Sequence, residues 1–292
     1  MPRQKKFLLI INPISGGNDK TELKEAVHNF AEMQGVEIIS YETTGKNDEA
    51  AIQELYLEEK PERVLVAGGD GTVKMVGEAI ADHNAIIGVL PAGSANGLSV
   101  DLNLPDEMDD ILEVAFNGDF IEMDMVCING KKSIHLSDLG ANAELIKNYE
   151  SGKVRGKWGY AMNAFTTIKE LGDPFTATIK ANGETLETEA RMVVIANTQK
   201  YGTGVTINPL GVMDDGKFEI IILKNLDLMF LGKIVTGNMP VDDEEHVHII
   251  STDVAQVTTN TPVSFQIDGE FCGPESKLDV HILPRQMRVA VP

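Results

Sequence analysis

From Val64 to Ile80 the chain reads VLVAGGDGTVKMVGEAI, an apolar run that halts at Gly-Gly-Asp-Gly-Thr and resumes at helical spacing. Such a joint needs a tight turn, and glycine makes one readily because it reaches positive φ without a Cβ clash. The pattern recurs on both sides. FLLII, VEIISYET, RVLVAGG and AIIGVLPAG read as strands, with TELKEAVHNFAEMQG, DEAAIQELYLEEK and TVKMVGEAIADH as the helices between them. The first helix carries Leu23, Val27 and Phe30 on one stripe and stops at Gly35. Strand and helix in alternation demand a parallel sheet with helices packed on it. Ligands of open parallel sheets bind beyond the carboxyl ends of the strands, so those joints are where function is expected.

After about residue 125 the character changes. CINGKKSIHLSD and FTATIKANGETLETEA each centre on Asn-Gly between β-prone runs, a strong hairpin signal. RMVVIANTQ, KFEIIILK, VAQVTT, VSFQID, KLDVHIL and RVAVP continue the strands, interrupted by one helical island, KWGYAMNAFTTIKEL. The fold class predicted is α/β, with a Rossmann-like parallel-sheet domain over 1–123 and an antiparallel β-sandwich domain over 124–292. The last strand is free to return towards the first domain.

A chain of 292 residues can bury two proper cores. Its net charge of −20, from 25 basic and 45 acidic side chains, repels nucleic acid and argues against tight binding to anionic lipid. The acidic groups from Asp101 to Asp124, with no Lys or Arg among them, read as a solvated helix face. The apolar run Phe7 to Ile11 is too short for a secretory core or a membrane span, so a cytoplasmic location is expected. Cys127 and Cys272 have no metal or redox spacing and read as two unrelated buried thiols. Asp242 to Glu245, with His246 and His248, reads as a charged loop leading into a strand rather than as a metal site.

Three strand ends of the first half carry glycine and hydroxyl residues: Asn12-Pro13-Ile14-Ser15-Gly16-Gly17, Gly68-Gly69-Asp70-Gly71-Thr72 and Pro91-Ala92-Gly93-Ser94-Ala95-Asn96-Gly97. Brought to one sheet edge, they would line it with free amides and hydroxyls, which is what a polyphosphate requires. None fits the P-loop or dinucleotide fingerprint. Asp70 sits at a helix N-terminus, where the dipole favours a carboxylate, and is also a candidate metal ligand or proton acceptor. Lys74 follows in the same helix, where a cation is misplaced unless an anion binds nearby.

NPISGG, GGDGT and LPAGSANGL, in this order and spacing, resemble the catalytic domain of the diacylglycerol kinase and sphingosine kinase family of lipid kinases. The likeness continues through Gly140-Ala141-Asn142-Ala143, GKWGYAMNAF, the Asp214-Asp215-Gly216 turn and Asp268-Gly269-Glu270. GGDGT alone is shared with NAD kinases and resembles the phosphofructokinase motif; the two later motifs are specific to the lipid kinases. The resemblance implies an ATP-dependent enzyme that phosphorylates a lipid hydroxyl, of diacylglycerol or a sphingoid-type lipid, during transient contact with a membrane. It maps ATP contacts onto Asn12, Pro13, Ser15 and Gly16, onto Thr43, onto Gly68, Gly69, Asp70, Gly71, Thr72 and Lys74, and onto Ser94 and Asn96. It implies a magnesium ion held by the carbonyls of Val212 and Lys217 with the carboxylate of Asp215, linked inward by Asp124. The resemblance places catalytic carboxylates in GGDGT and in Asp268-Gly269-Glu270 and is divided over which holds the base; the division expected here is Asp268 as base, Glu270 orienting it, and Asp70 positioning the nucleotide metal or the hydroxyl.

Two departures stand out. Lys74 and Met75 replace the usual Asn-Glu after GGDGT, and GSANGLS is closer to the form found in sphingosine and ceramide kinases. A nucleotide-binding protein without turnover, and an NAD-kinase-like enzyme acting on a soluble alcohol, stay open as alternatives. So does a homodimer paired through an edge strand. Tyr160, Met162, Phe165 and Ile168 are candidates for a lipid-pocket lining, and Trp158 reads either as a membrane contact or as packing on the second domain.

Overall fold

The computed structural model describes residues 5–81, 83–94, 96–141, 143, 173–201, 204–226, 230, 233–234, 236–241 and 243–292. The helical island with Trp158, Tyr160, Met162, Phe165 and Ile168 lies outside them. Met1–Met123 together with Arg285–Pro292 form one unit, and Asp124–Pro284 form the other.

In the first unit, β1 (Lys6–Ile11), β2 (Glu37–Glu42), β3 (Arg63–Gly68) and β4 (Ile86–Pro91) are parallel and ordered β4-β3-β1-β2. The chain leaves β1 for β2 on one side and then crosses to β3 on the other, so the winding reverses between β1 and β3. Helices α1 (Thr21–Gln34), α2 (Asp48–Glu59), α3 (Asp70–Ala79), α4 (Gly97–Asp101) and α5 (Met108–Asn117) fill the connections. Strands covered on both faces read as continuous apolar runs, and Leu8 to Ile11 and Val64 to Ala67 are at most 1% exposed. On one face Phe7, Leu9, Ile11, Leu65, Ala67 and Leu90 pack with Val27 and Ala31 of α1 and with Ile111, Leu112, Ala115 and Phe116 of α5. The Phe116 ring lies 5.1 Å from Phe7 and 4.9 Å from Phe30, between centroids. Leu23 and Phe30 join this core, and α1 ends at Gly35 with φ 66°, as its stripe and glycine stop predict. Arg63 closes the end of α5 by donating to the carbonyls of Gly118 at 2.7 Å and Ala115 at 3.2 Å. The acidic side chains Asp106, Glu107, Asp109, Asp110 and Glu113 face solvent on and before α5; Glu122 instead takes the Arg288 guanidinium at 2.9 Å.

The second unit is antiparallel. Its strands are the end of β5 (Asp119–Ile128), β6 (Lys131–Ser133), β7 (Leu136–Gly140), β8 (Phe175–Ala181), β9 (Glu184–Ala190), β10 (Met192–Ala196), β11 (Phe218–Leu223), β12 (Val247–Thr252), β13 (Val254–Ile267) and most of β14 (Glu270–Val291). One layer runs β12-β11-β10-β7, and β13 joins it through Phe265–Ile267 while its other half pairs with β8. Side chains alternate as a pleat requires: Val193, Ile195, Phe218, Ile220 and Ile222 enter the sandwich core with Ile179, Val257 and Leu278. Their neighbours Met192, Val194, Ala196, Ile221 and Leu223 pack on the opposite face with Phe230 and Ile234.

Asn129-Gly130 and Asn182-Gly183 each have positive φ at both residues, the two-residue hairpin turn that Asn-Gly predicts. VAQVTT and VSFQID form one strand rather than two, because a register shift between Thr258 and Val263 absorbs the intervening residues. KLDVHIL and RVAVP likewise belong to β14, whose last residues return to the first unit, with Arg288 and Val289 parallel to β4. Cys127 is buried, but Cys272 is half-exposed just past a hairpin, contrary to the expectation of two buried thiols. His246 Nδ1 lies 2.9 Å from Asp243 Oδ1, and its ring stacks on Phe230. That histidine is held locally, in the charged loop its sequence suggests.

Candidate active site

In the first unit the strand ends stand level: Ile11 is paired with Ala67 and with Glu42, and Gly68 with Pro91. The three glycine joints therefore meet at the carboxyl edge, beside the switch between β1 and β3, where open α/β sheets bind ligands. Asn12 ties the first joint to the second, its Nδ2 donating to Thr72 Oγ1 at 3.0 Å while its Oδ1 accepts from the Ile14 amide at 3.2 Å. Thr72 packs so closely on β3 that a Cβ at Gly68 would lie 2.5 Å from its own. Gly69 and Gly93 touch backbone to backbone, since a Cβ on Gly93 would lie 2.5 Å from the Gly69 Cα. A Cβ on Gly71 would meet nothing within 4 Å, leaving the opening of α3 accessible. Pro13 and Ser94 are exposed on their loops, Ser15, Gly69 and Lys74 half-buried.

Asp70 bridges the second joint to the third. Its carboxylate accepts the Gly97 amide at 2.7 Å and the Leu98 amide at 3.1 Å, and so caps α4. The dipole effect expected of Asp70 is present, but the helix N-terminus it serves by hydrogen bond belongs to α4. Asn96, left-handed with φ 52°, folds the third joint on itself: its Oδ1 accepts the Gly93 amide at 2.7 Å and its Nδ2 donates to the Gly93 carbonyl at 3.1 Å. These two side chains shape the loop from within.

Thr43 continues β2 alongside the first joint, its amide donating to the Ile11 carbonyl at 2.8 Å. The loop after it is fixed by Asp48, which accepts the amides of Thr44 at 2.8 Å and Gly45 at 2.7 Å, and the Tyr41 hydroxyl at 2.8 Å. Burial works against the Asp48 charge, but the donors from Thr44, Tyr41 and Gly45 outweigh it and hold its carboxyl below the usual range. Lys20, next to α1, is also buried and donates to the carbonyls of Ser15, Asn18 and Ala92. Neither residue stood out in the sequence. Asp48 had a signal, an acidic residue opening a helix after a Thr-Gly turn; Lys20 had none, because nothing local marks a lysine as buried.

In the second unit Asp124 is 1% exposed and holds the turn after Leu210. Its amide donates to the Met213 carbonyl at 2.8 Å, and its Oδ2 accepts the Gly216 amide at 2.7 Å. Asn197 Nδ2 donates to the Asp124 carbonyl at 2.9 Å, and Asn197 Oδ1 is buried with no hydrogen-bond partner among the described residues. Val212, Asp215 and Lys217 are exposed on the same turn, with one Asp215 oxygen taking the Lys217 amide at 2.9 Å. Carboxylates, main-chain carbonyls and an amide oxygen still short of a donor make an all-oxygen set of the kind that suits magnesium. The residues present therefore fit that ion.

Asp268 and Gly269 form a two-residue hairpin between β13 and β14, with φ 49° and 88° and Ile267 opposite Glu270. The Asp268 carboxylate accepts the Ser133 hydroxyl at 2.7 Å and the amides of His135 at 3.0 Å and Ile134 at 3.2 Å. Three donors on one carboxylate anchor the stretch before β7. Glu270, two residues on, is exposed.

A family profile described as "Diacylglycerol kinase catalytic domain" matches residues 6–128, and one described as "YegS C-terminal NAD kinase beta sandwich-like domain" matches residues 138–291. The chain is similar to the diacylglycerol kinase of Bacillus subtilis (strain 168), 28% identical over 285 residues that cover 92% of this chain and 91% of that protein. It is 26% identical to the diacylglycerol kinase of Staphylococcus carnosus (strain TM300) over 278 residues, 92% and 90% of the two chains. The crystal structure of a diacylglycerol kinase from Bacillus anthracis str. Sterne shares the fold, with a TM-score of 0.75 at 18% identity over 100% of this chain and 98% of that one. With one profile on the glycine-lined sheet and the other on the sandwich, the chain belongs to the diacylglycerol kinase family.

Proposed function

We propose that this diacylglycerol kinase-type enzyme transfers the γ-phosphoryl group of ATP to the free hydroxyl of diacylglycerol or a sphingoid-type lipid. The observation that carries the reading is the interlocking of three glycine joints at one sheet edge through Asn12, Asp70 and the Gly69–Gly93 contact. Phosphoryl transfer asks for alignment and charge neutralisation more than for covalent work by the protein. The amides opening α3, the Ser15 and Ser94 hydroxyls and Lys74 are groups suited to a polyphosphate. Thr43 borders the same edge, where it would meet the rest of the nucleotide.

As the lipid oxygen bonds to the γ-phosphorus, the bond from that phosphorus to the ADP oxygen breaks and the hydroxyl proton must leave. Glu270, exposed and two residues past the anchored Asp268, is our choice for its acceptor. A carboxylate is a weak base towards an alcohol, so the proton moves only as the new bond forms. Asp70 and Asp268 act on position: one seats the third joint, the other the stretch before β7. Magnesium, when bound, supplies neutralising charge and a brace for the 212–217 turn, with Asp124, Asp215, the Val212 and Lys217 carbonyls and Asn197 as the oxygens that would hold it.

The lipid acceptor brings the enzyme to a membrane surface from the cytoplasm. No helix of the described residues is long and apolar enough to cross one, and the −20 charge favours brief visits to anionic bilayers. The test is transfer of label from γ-labelled ATP with Mg²⁺ to mixed micelles of diacylglycerol, monoacylglycerol, sphingosine or ceramide, with NAD as a soluble control. Label in one lipid is the expected result. Label in NAD alone, or ATP bound with no acceptor labelled, would reject it.

A further inference from the structure

Lys20 is 6% exposed, and all three of its ammonium donors are used: on the Ser15 carbonyl at 2.6 Å, the Asn18 carbonyl at 3.1 Å and the Ala92 carbonyl at 3.2 Å. Its hydrogen bonding is complete and its charge is not. Carbonyl dipoles solvate a cation without neutralising it, and a buried charge is costly unless an opposite charge compensates. The adjacent carboxylate of Asp19 is turned instead onto Thr21, taking its amide at 3.0 Å and its hydroxyl at 2.8 Å. The place is unfavourable on a second count. Lys20 precedes the first turn of the fourteen-residue α1, whose N-terminal dipole repels a cation. Two positive sources thus sit behind the first and third glycine joints, with main-chain carbonyls as the Lys20 partners among the described residues.

We propose that Lys20 is a positioning residue for the nucleotide's polyphosphate, which supplies the missing counter-charge. Resting on the ATP reading above, it assigns Lys20 two linked tasks. Through Ser15 and Ala92 the side chain fixes the spacing of the two loops, and its charge draws anionic oxygens onto their outer side. A Cβ at Gly17 would meet nothing within 4 Å, so the first loop has open space for them. An exposed lysine on the loop would attract phosphate equally well but would not set the distance between the loops.

The test is calorimetric titration of inorganic tripolyphosphate and of MgATP into the wild type and Lys20→Met, Lys20→Gln and Lys20→Arg, with thermal unfolding of each alone and with ligand. Lys20→Gln keeps donors for the carbonyls should Lys20→Met fail to fold. Loss of the charge is expected to weaken tripolyphosphate about tenfold, or about 1.4 kcal/mol, and to flatten the salt dependence of binding. Lys20→Arg is expected to stay within about threefold of the wild type, near 0.7 kcal/mol. A residue that only braces the loops would lower the unfolding temperature of the free protein yet leave tripolyphosphate affinity and its salt dependence unchanged in Lys20→Gln; that result overturns the proposal. If the wild type binds neither tripolyphosphate nor MgATP, the ATP reading fails and this one with it.

Discussion

Gly16 and Gly17 share a left-handed backbone but not their surroundings, and alanine at each position separates the two properties. Their φ values are 65° and 69°. A Cβ on Gly17 would touch nothing within 4 Å, whereas one on Gly16 would lie 2.6 Å from the Ala92 carbonyl oxygen and 3.2 Å from the Gly93 carbonyl carbon. A left-handed L-residue costs about 1–2 kcal/mol, of which about 0.4–1 kcal/mol is offset because alanine has less chain entropy to lose on folding. Gly17→Ala is therefore expected to destabilise by about 1 kcal/mol. At Gly16 the obstacle is backbone and cannot rotate away, so overpacking adds about 1–3 kcal/mol. Each kcal/mol moves the midpoint of a domain this large by about 2–4 °C, which puts Gly16→Ala roughly 2–12 °C below Gly17→Ala. Because the carbonyl that must move is also a Lys20 partner, KM for ATP should rise more in Gly16→Ala. Thermal unfolding with ATP-dependent kinetics checks both. Equal midpoints within a degree, with equal KM values, would mean that the first and third joints do not press on one another.

Other outcomes follow from the hydrogen bonding. Glu270→Gln should lower kcat by about 10²–10⁴-fold with its unfolding midpoint unchanged, whereas Asp268→Asn, which sets an NH2 group against at least one of the three donors, should lose about 1.5–3 kcal/mol in a urea titration. The Asp48 carboxyl lies below its ordinary value when folded, so its contribution is complete above the unfolded value and lost as pH falls through the folded one. The stability gap between wild type and Asp48→Asn should thus be full at neutral pH and shrink below about pH 4. Added Mg²⁺ should raise the unfolding temperature of the wild type and not that of Asp124→Asn, read by calorimetry with Ca²⁺ as a comparison.

The parallel half was legible because its signals are local: apolar runs ending at glycine, a stripe ending at Gly35, and joints whose common edge follows from strand and helix in alternation. The Asn-Gly hairpins were legible for the same reason. Asp268-Gly269 makes the same kind of turn, but the sequence does not show Ser133, Ile134 and His135 donating to its carboxylate. The cap that Asp70 provides was hidden in the same way, because the amides it serves lie twenty-seven and twenty-eight residues on. Read from sequence, β13 divides at Thr-Asn-Thr-Pro, residues that a register shift within the strand absorbs, and β14 at Pro284 to Met287, which the strand runs through. Lys20 and Asp48 were missed because burial of a charged side chain is a property of the packed loops around it.

The most direct test of the account is one rate: the appearance of phosphatidic acid from diacylglycerol micelles and γ-labelled ATP, catalysed by wild type and by Glu270→Gln at saturating Mg²⁺. The expected result is labelled phosphatidic acid from the wild type and a rate at least about a hundredfold lower from the folded variant. Equal rates from the two would remove Glu270 from the chemistry, and unlabelled lipid from a wild type that binds ATP would contradict the kinase reading itself.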